Sequence, residues 1–83
     1  MFIPAAELNN GNIAQQLTAG IAAIEAGQTT FEFNQTKNID SSTVACLLAW
    51  KRHAQQRRAK LEFLHLPANL TKLIALYGVD EYL

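Results

Sequence analysis

The sequence predicts an α/β domain: a small mixed, mainly parallel sheet with helices packed on it, in the order β-α-β-α-β-α. Three observations carry that expectation. Apolar residues recur at helical spacing in three separate stretches. Short β-like segments, MFIPAAEL, TTFEFN and LEFLHL, alternate with those stretches. No internal repeat, low-complexity run or linker interrupts the series, so residues 1–83 are expected to form one domain. Strict alternation of this kind implies parallel strands joined by crossover helices.

The elements follow in order. MFIPAAEL is an apolar run broken by Pro4, consistent with a brief edge strand. NNGN then supplies a turn and a cap, with Asn10 or Asn12 as N-cap of the first helix. Ile13, Leu17, Ile21 and Ile24 share one face of that helix, and Gly27 stops it. Gly20 lies inside it and costs about 1 kcal/mol relative to alanine. Close packing against a neighbour is the expected justification.

TTFEFN alternates Phe31 and Phe33 with polar residues and reads as a half-buried strand. QTKNID reads as a polar connection, and the second helix is expected from Ser41 or Ser42 to about Arg58. LEFLHL is apolar on both faces except at Glu62 and His65, so it is expected as a central strand. His65 reads as a satisfied sheet histidine. Pro67 opens the last helix, whose inner stripe is Leu70, Leu73, Ile74 and Tyr77, and Gly78 ends it. Val79, Tyr82 and Leu83 of the tail can pack back on the core.

Composition narrows the function. A hydrophobic content of 49% argues against disorder. A chain this short buries only about 60–65% of its unfolded surface, so stability is expected to be modest. No window approaches the roughly 18 apolar residues of a membrane span, and no signal peptide opens the chain. Direct membrane insertion is not expected. One cysteine excludes an intrachain disulfide and fits a cytoplasmic setting.

Catalytic, metal and cofactor chemistry find little support. Cys46, His53 and His65 lack metal-ligand spacing. Neither histidine is linked locally to a serine, so no hydrolase triad is legible. The four glycines stand apart, at 11, 20, 27 and 78, and no GK[ST] follows any of them. A phosphate-binding loop is therefore excluded. The expectation is no enzyme, no metal and no cofactor.

Charge is zero overall but unevenly placed. Five of the seven basic residues lie in KRHAQQRRAK, residues 51–60. This reads as the solvated end of a helix, where positive charge suits the macrodipole, or as a surface for an acidic partner. No aromatic residues interleave with the basic ones, so nucleic-acid binding is not expected.

The second helix holds the remaining candidates. Val44, Leu47, Leu48 and Ala54 can face the sheet, while Cys46, Trp50, His53 and Arg57 form a separate line along it. Together they are wider than one packed side requires. Trp50 either covers the edge of the core or belongs to an exposed contact. Ahead of this helix stand Asp40, Ser41, Ser42 and Thr43. A cap needs one such residue, and four suggest a further role. Phosphate on a serine at a helix N-terminus is accommodated by free amides and the dipole, and makes the outer surface negative.

NIDSSTVACLLAW followed by KLEFLHLPANLTKLIALYGVDEYL resembles the STAS domain family (sulphate transporter and anti-sigma factor antagonist). The shared features are Asp-Ser-Ser at a strand-to-helix junction, the apolar helix after it, a strand ending in Leu-Pro, and the closing Tyr-Gly-Val pattern. The resemblance spans about residues 28–83. It implies a small mixed sheet with packed helices, acting by protein contact.

Two branches of the family frame the expected partner. One is the cytoplasmic STAS subunit of Mla-type phospholipid ABC transporters, which binds the ATPase subunit; LPANLTKLIALYGV looks closer to it. The other is the anti-sigma factor antagonists, in which a partner kinase phosphorylates the hydroxyl residue after the aspartate, Ser41 here. The expected partner-binding residues are Asp40, Ser41, Ser42, Thr43, Cys46, Trp50, His53 and Arg57. Thr43 stands where members usually have glycine, and its side chain is expected to narrow approach to the site. One strand precedes the first helix where members commonly have two, leaving a short sheet edge for a partner or a second copy of the chain.

Overall fold

The computed structural model describes residues 1–83. It has the α/β arrangement expected, with three helices and short parallel strand pairs. In chain order these are β1 (Glu7–Leu8), α1 (Ile13–Glu25), β2 (Thr30–Glu32), β3 (Asn38–Ile39), α2 (Ser42–Gln56), β4 (Glu62–Leu64) and α3 (Ala68–Leu76). A 3-10 turn, Asp80–Tyr82, closes the chain.

The strands form two parallel pairs, β1 with β3 and β2 with β4. The amino-terminal segment joins them. Phe2 bridges to Phe31 in β2, donating to Thr30 C=O at 3.0 Å and accepting from Glu32 N–H at 2.9 Å. A few residues on, Glu7 and Leu8 pair with the opposite neighbour, β3. Pro4, which has no N–H to give, occupies the stretch where the segment changes partner. The neighbouring Ala5 N–H finds the Gln16 side chain at 2.9 Å.

Three expectations are corrected here. The first segment is flanked on both sides, so it is interior rather than an edge. QTKNID is not wholly a connection, because Asn38 and Ile39 form β3. LEFLHL is an edge, since β4 pairs with β2 alone. Its apolar character is spent on one side: Leu61 is buried and Phe63 meets the core aromatics, while Leu64 is exposed.

α2 packs against both α1 and α3 and, through Trp50, on the aromatic residues of β2 and β4. Phe31 meets Trp50 edge-on at 5.0 Å, and Phe33 meets Phe63 perpendicularly at 5.6 Å. These are the offset geometries that the ring quadrupole favours. In α3, Leu70 and Ile74 are buried and Leu73 half-buried, but Tyr77 is exposed because it lies past the helix end. In the tail Val79 and Leu83 pack against the core, whereas Tyr82 points to solvent.

Candidate interaction site at the entry to the second helix

The three consecutive hydroxyl residues before α2 have three different fates. Ser41 is exposed and its hydroxyl makes no hydrogen bond within the chain. Ser42 is half-buried and donates through both its hydroxyl and its N–H (2.9 Å) to Oδ1 of Asp40. Thr43 is fully buried, with Oγ1 turned inward toward Leu8 C=O at 3.4 Å. Successive helical residues are offset by about a quarter-turn or more, so adjacent hydroxyls cannot share one face.

Asp40 organises the corner. Its N–H donates to Leu8 C=O at 3.2 Å, continuing the β1–β3 pairing. Its C=O accepts from Thr43 N–H at 3.1 Å, and its carboxylate caps the first turn through Ser42. The other carboxylate oxygen accepts from Asn10 N–H at 3.2 Å. The Ser42 hydroxyl, helped by the N–H groups of Ser42 and Asn10, holds this carboxyl below its ordinary range.

Asn10 belongs to the corner although the sequence marks it only as turn and cap. Its loop carries hydrogen bonds of its own: Asn12 Oδ1 accepts from Asn9 N–H, and Asn9 Oδ1 from Gly11 N–H. The NNGN composition signals such side-chain-to-backbone turns. Nothing local in the sequence signals that the loop meets residue 40.

The line running down α2 does not form the outward contact expected of it. Thr43, Cys46 and Trp50 are all core residues, Trp50 with 0% exposure. The apolar surface of α2 is wide because the helix is packed by the sheet, by α1 and by α3 together. The Trp50 indole donates to Leu17 C=O at 3.1 Å, completing its burial. Burial pushes the Cys46 thiol up to about 12. Thr43, facing inward, does not narrow approach to Ser41. His53 is half-buried and Arg57 exposed; both stand near Glu25 of α1, at 3.7 and 3.9 Å. Of the eight expected contact residues, Asp40, Ser41 and Ser42 remain together at an accessible corner.

No group of histidine, cysteine and carboxylate side chains is arranged to hold a metal ion. No helix is long and apolar enough to cross a membrane. A family model described as "Mlab, STAS domain" matches residues 8–83. No curated protein and no solved structure matches the chain. With a match spanning nearly the whole chain, including the corner and all three helices, this protein belongs to the STAS domain family, whose domains are generally non-catalytic and mediate protein–protein interactions.

Proposed function

We propose that the Asp40–Ser42 corner is a docking point for a protein partner, and that the partner is the ATPase subunit of a phospholipid-transporting ABC system. In this reading the chain is a cytoplasmic accessory subunit that binds and supports the ATPase without chemistry of its own. The observation that carries it is Ser41: exposed, unbonded and directly after the hydrogen-bonded Asp40, beside two hydroxyls already used by the fold. The matching family model, described as "Mlab, STAS domain", and the likeness of LPANLTKLIALYGV to the transporter branch support the choice of partner.

A second reading, an anti-sigma factor antagonist with Ser41 as phosphoacceptor, is favoured by the same free hydroxyl at the start of a 15-residue helix. A phosphate there meets the positive end of the helix dipole, although the first amides of the helix are already taken by Asp40 and Ser41. One experiment separates the two. Purified protein is mixed with the candidate ATPase subunit, and separately with a cognate kinase and ATP followed by intact-mass measurement. ATPase binding that falls at least about tenfold in Ser41→Lys, with an unchanged melting curve, supports the transporter reading. Phosphate added at Ser41 with loss of anti-sigma factor capture overturns it in favour of the switch.

A further inference from the structure

The far end of α2 carries a second surface that the corner does not use. At 1.5 Å per residue, Lys51 and Gln55 stand about 15 and 21 Å along the helix from Ser41. Two cavities open along this end, of about 270 and 310 Å³, and Lys51 and Gln55 line both. The first lies against the turn after α2, where Arg58 and Lys60 complete its rim and Leu61 its floor. The second lies against the carboxy-terminal tail, between Arg52 and the apolar side chains of Leu48, Val79 and Tyr82.

The charge of this groove is one-sided. Four cations line it and no carboxylate does. None of Lys51, Arg52, Arg58 and Lys60 has a carboxylate within ion-pair distance; the carboxylate contacts of the basic side chains lie at His53, Arg57 and His65. Lys51 is drawn inward, with its ammonium donating to Leu61 C=O and 5.1 Å from the Phe63 ring. Burial lowers its pKa, and the charge of Glu62 only partly offsets that.

Arg58 adds an independent observation. Each helix ends in a left-handed residue that lets the chain turn. After α1 that residue is Gly27, φ 92°, and after α3 it is Gly78, φ 68°. After α2 it is Arg58, φ 57°, with Arg58 N–H on Gln55 C=O and Ala59 N–H on Ala54 C=O. Glycine is the unstrained choice for this cap. The chain takes it twice and here instead keeps a cation on the rim of the groove. Strain retained at one position of three points to a use for the side chain.

We infer that this groove binds an acidic segment of a partner protein, with carboxylates against Arg52, Arg58 and Lys60 and one apolar side chain seated among Leu48, Val79 and Tyr82. Four cations with no carboxylate in the lining, Glu62, Asp80 and Glu81 lying outside it, match a carboxylate-rich peptide in charge. The apolar wall at one end distinguishes a peptide carrying an anchor from a simple anion, which has nothing to place there. The surface is distinct from the Ser41 corner, and the inference stands whichever partner docks at that corner.

The test uses the full chain and a fluorescently labelled synthetic peptide of glutamates and aspartates around one central leucine, read by anisotropy. Wild-type protein is expected to bind it, more weakly as salt rises. Arg52→Glu and Lys60→Glu should each weaken binding at least about fivefold, and replacing the leucine by glycine should do the same. Arg58→Gly is the decisive variant: it should raise the melting temperature by relieving the left-handed backbone while weakening the peptide. A rise in melting temperature with unchanged binding would make Arg58 a mere strained cap and overturn the inference. So would the absence of binding, or equal binding of the leucine-free peptide. Capture of phosphatidylglycerol vesicles but not the peptide, with the same sensitivity to Arg52→Glu, would assign the groove to a lipid surface and overturn it as well.

Discussion

Gly20 of α1 and the Trp50 indole of α2 are built around each other: a Cβ at residue 20 would lie 2.3 Å from Nε1 of the ring. The indole cannot retreat, because Phe31 stands 5.0 Å away on the other side and its N–H is held by Leu17 C=O. Gly20→Ala should therefore destabilise the protein by about 1–3 kcal/mol, as overpacking does. Helix propensity alone predicts a gain of about 1 kcal/mol from the same change. Urea denaturation decides between the two signs.

Removing the ring tests the same contact from the other side. Trp50→Ala should cost about 3–5 kcal/mol, the usual loss for a large buried aromatic. That is a large part of a stability of about 5–15 kcal/mol, so much of the variant will be unfolded at moderate temperature. Partner binding should fall only in proportion to the folded fraction. A variant that melts like the wild type but binds poorly would return Trp50 to the surface.

The buried thiol gives a labelling prediction. Cys46 is 3% exposed and its thiol is raised to about 12, so almost no thiolate is present near neutral pH. Reaction with an aromatic disulfide reagent should be slow in the native state and should accelerate with urea in step with unfolding. Prompt labelling without denaturant would contradict the packing of α2 against its neighbours.

The corner carries a pH prediction. The Asp40 carboxyl titrates lower when folded than when unfolded, so its contribution to stability is present above the unfolded value of about 3.9. It is lost as pH falls through the lower, folded value. Ser42→Ala removes the largest cause and should move the Asp40 titration, followed by NMR, upward toward the ordinary range. Ser41→Ala should leave both that titration and the melting curve unchanged, with any stability change within about 0.5 kcal/mol. The two serines are adjacent, and only the second is tied to the carboxylate.

A last prediction concerns the pair across the strand ends. His65, in left-handed backbone just after β4, places Nδ1 2.8 Å from both oxygens of Glu32. Glu32 is 8% exposed and otherwise accepts only from Asn34 N–H. His65→Ala leaves this carboxylate buried beside a missing partner and should cost about 1–3 kcal/mol. His65→Asn, which tolerates positive φ and can still donate, should recover part of the loss.

How far the sequence reaches can be judged from particular residues. The spacing of Ile13, Leu17, Ile21 and Ile24 and the stop at Gly27 place α1 almost to the residue, because periodicity and caps are local properties. The alternation of Phe31 and Phe33 marks the buried face of β2 for the same reason. The expected close neighbour of Gly20 exists, but its identity as Trp50 was not legible. The two-residue strand Asn38–Ile39 is not legible in the sequence, because it has no periodicity of its own and exists only by pairing with β1.

The sequence by itself determined the α/β class, the helices and their apolar stripes, the hydroxyl-rich corner and the family. Those features depend on contacts within a few residues or on a pattern carried along the chain. Tertiary structure alone decided which strands are edges, which hydroxyl is free, and which face of α2 remains exposed. Trp50 went inside between the aromatic residues of β2 and β4 and the Gly20 face of α1, and Thr43 because it turns toward Leu8 of β1. Burial is a property of neighbours brought together from distant parts of the chain, and no local spacing records it.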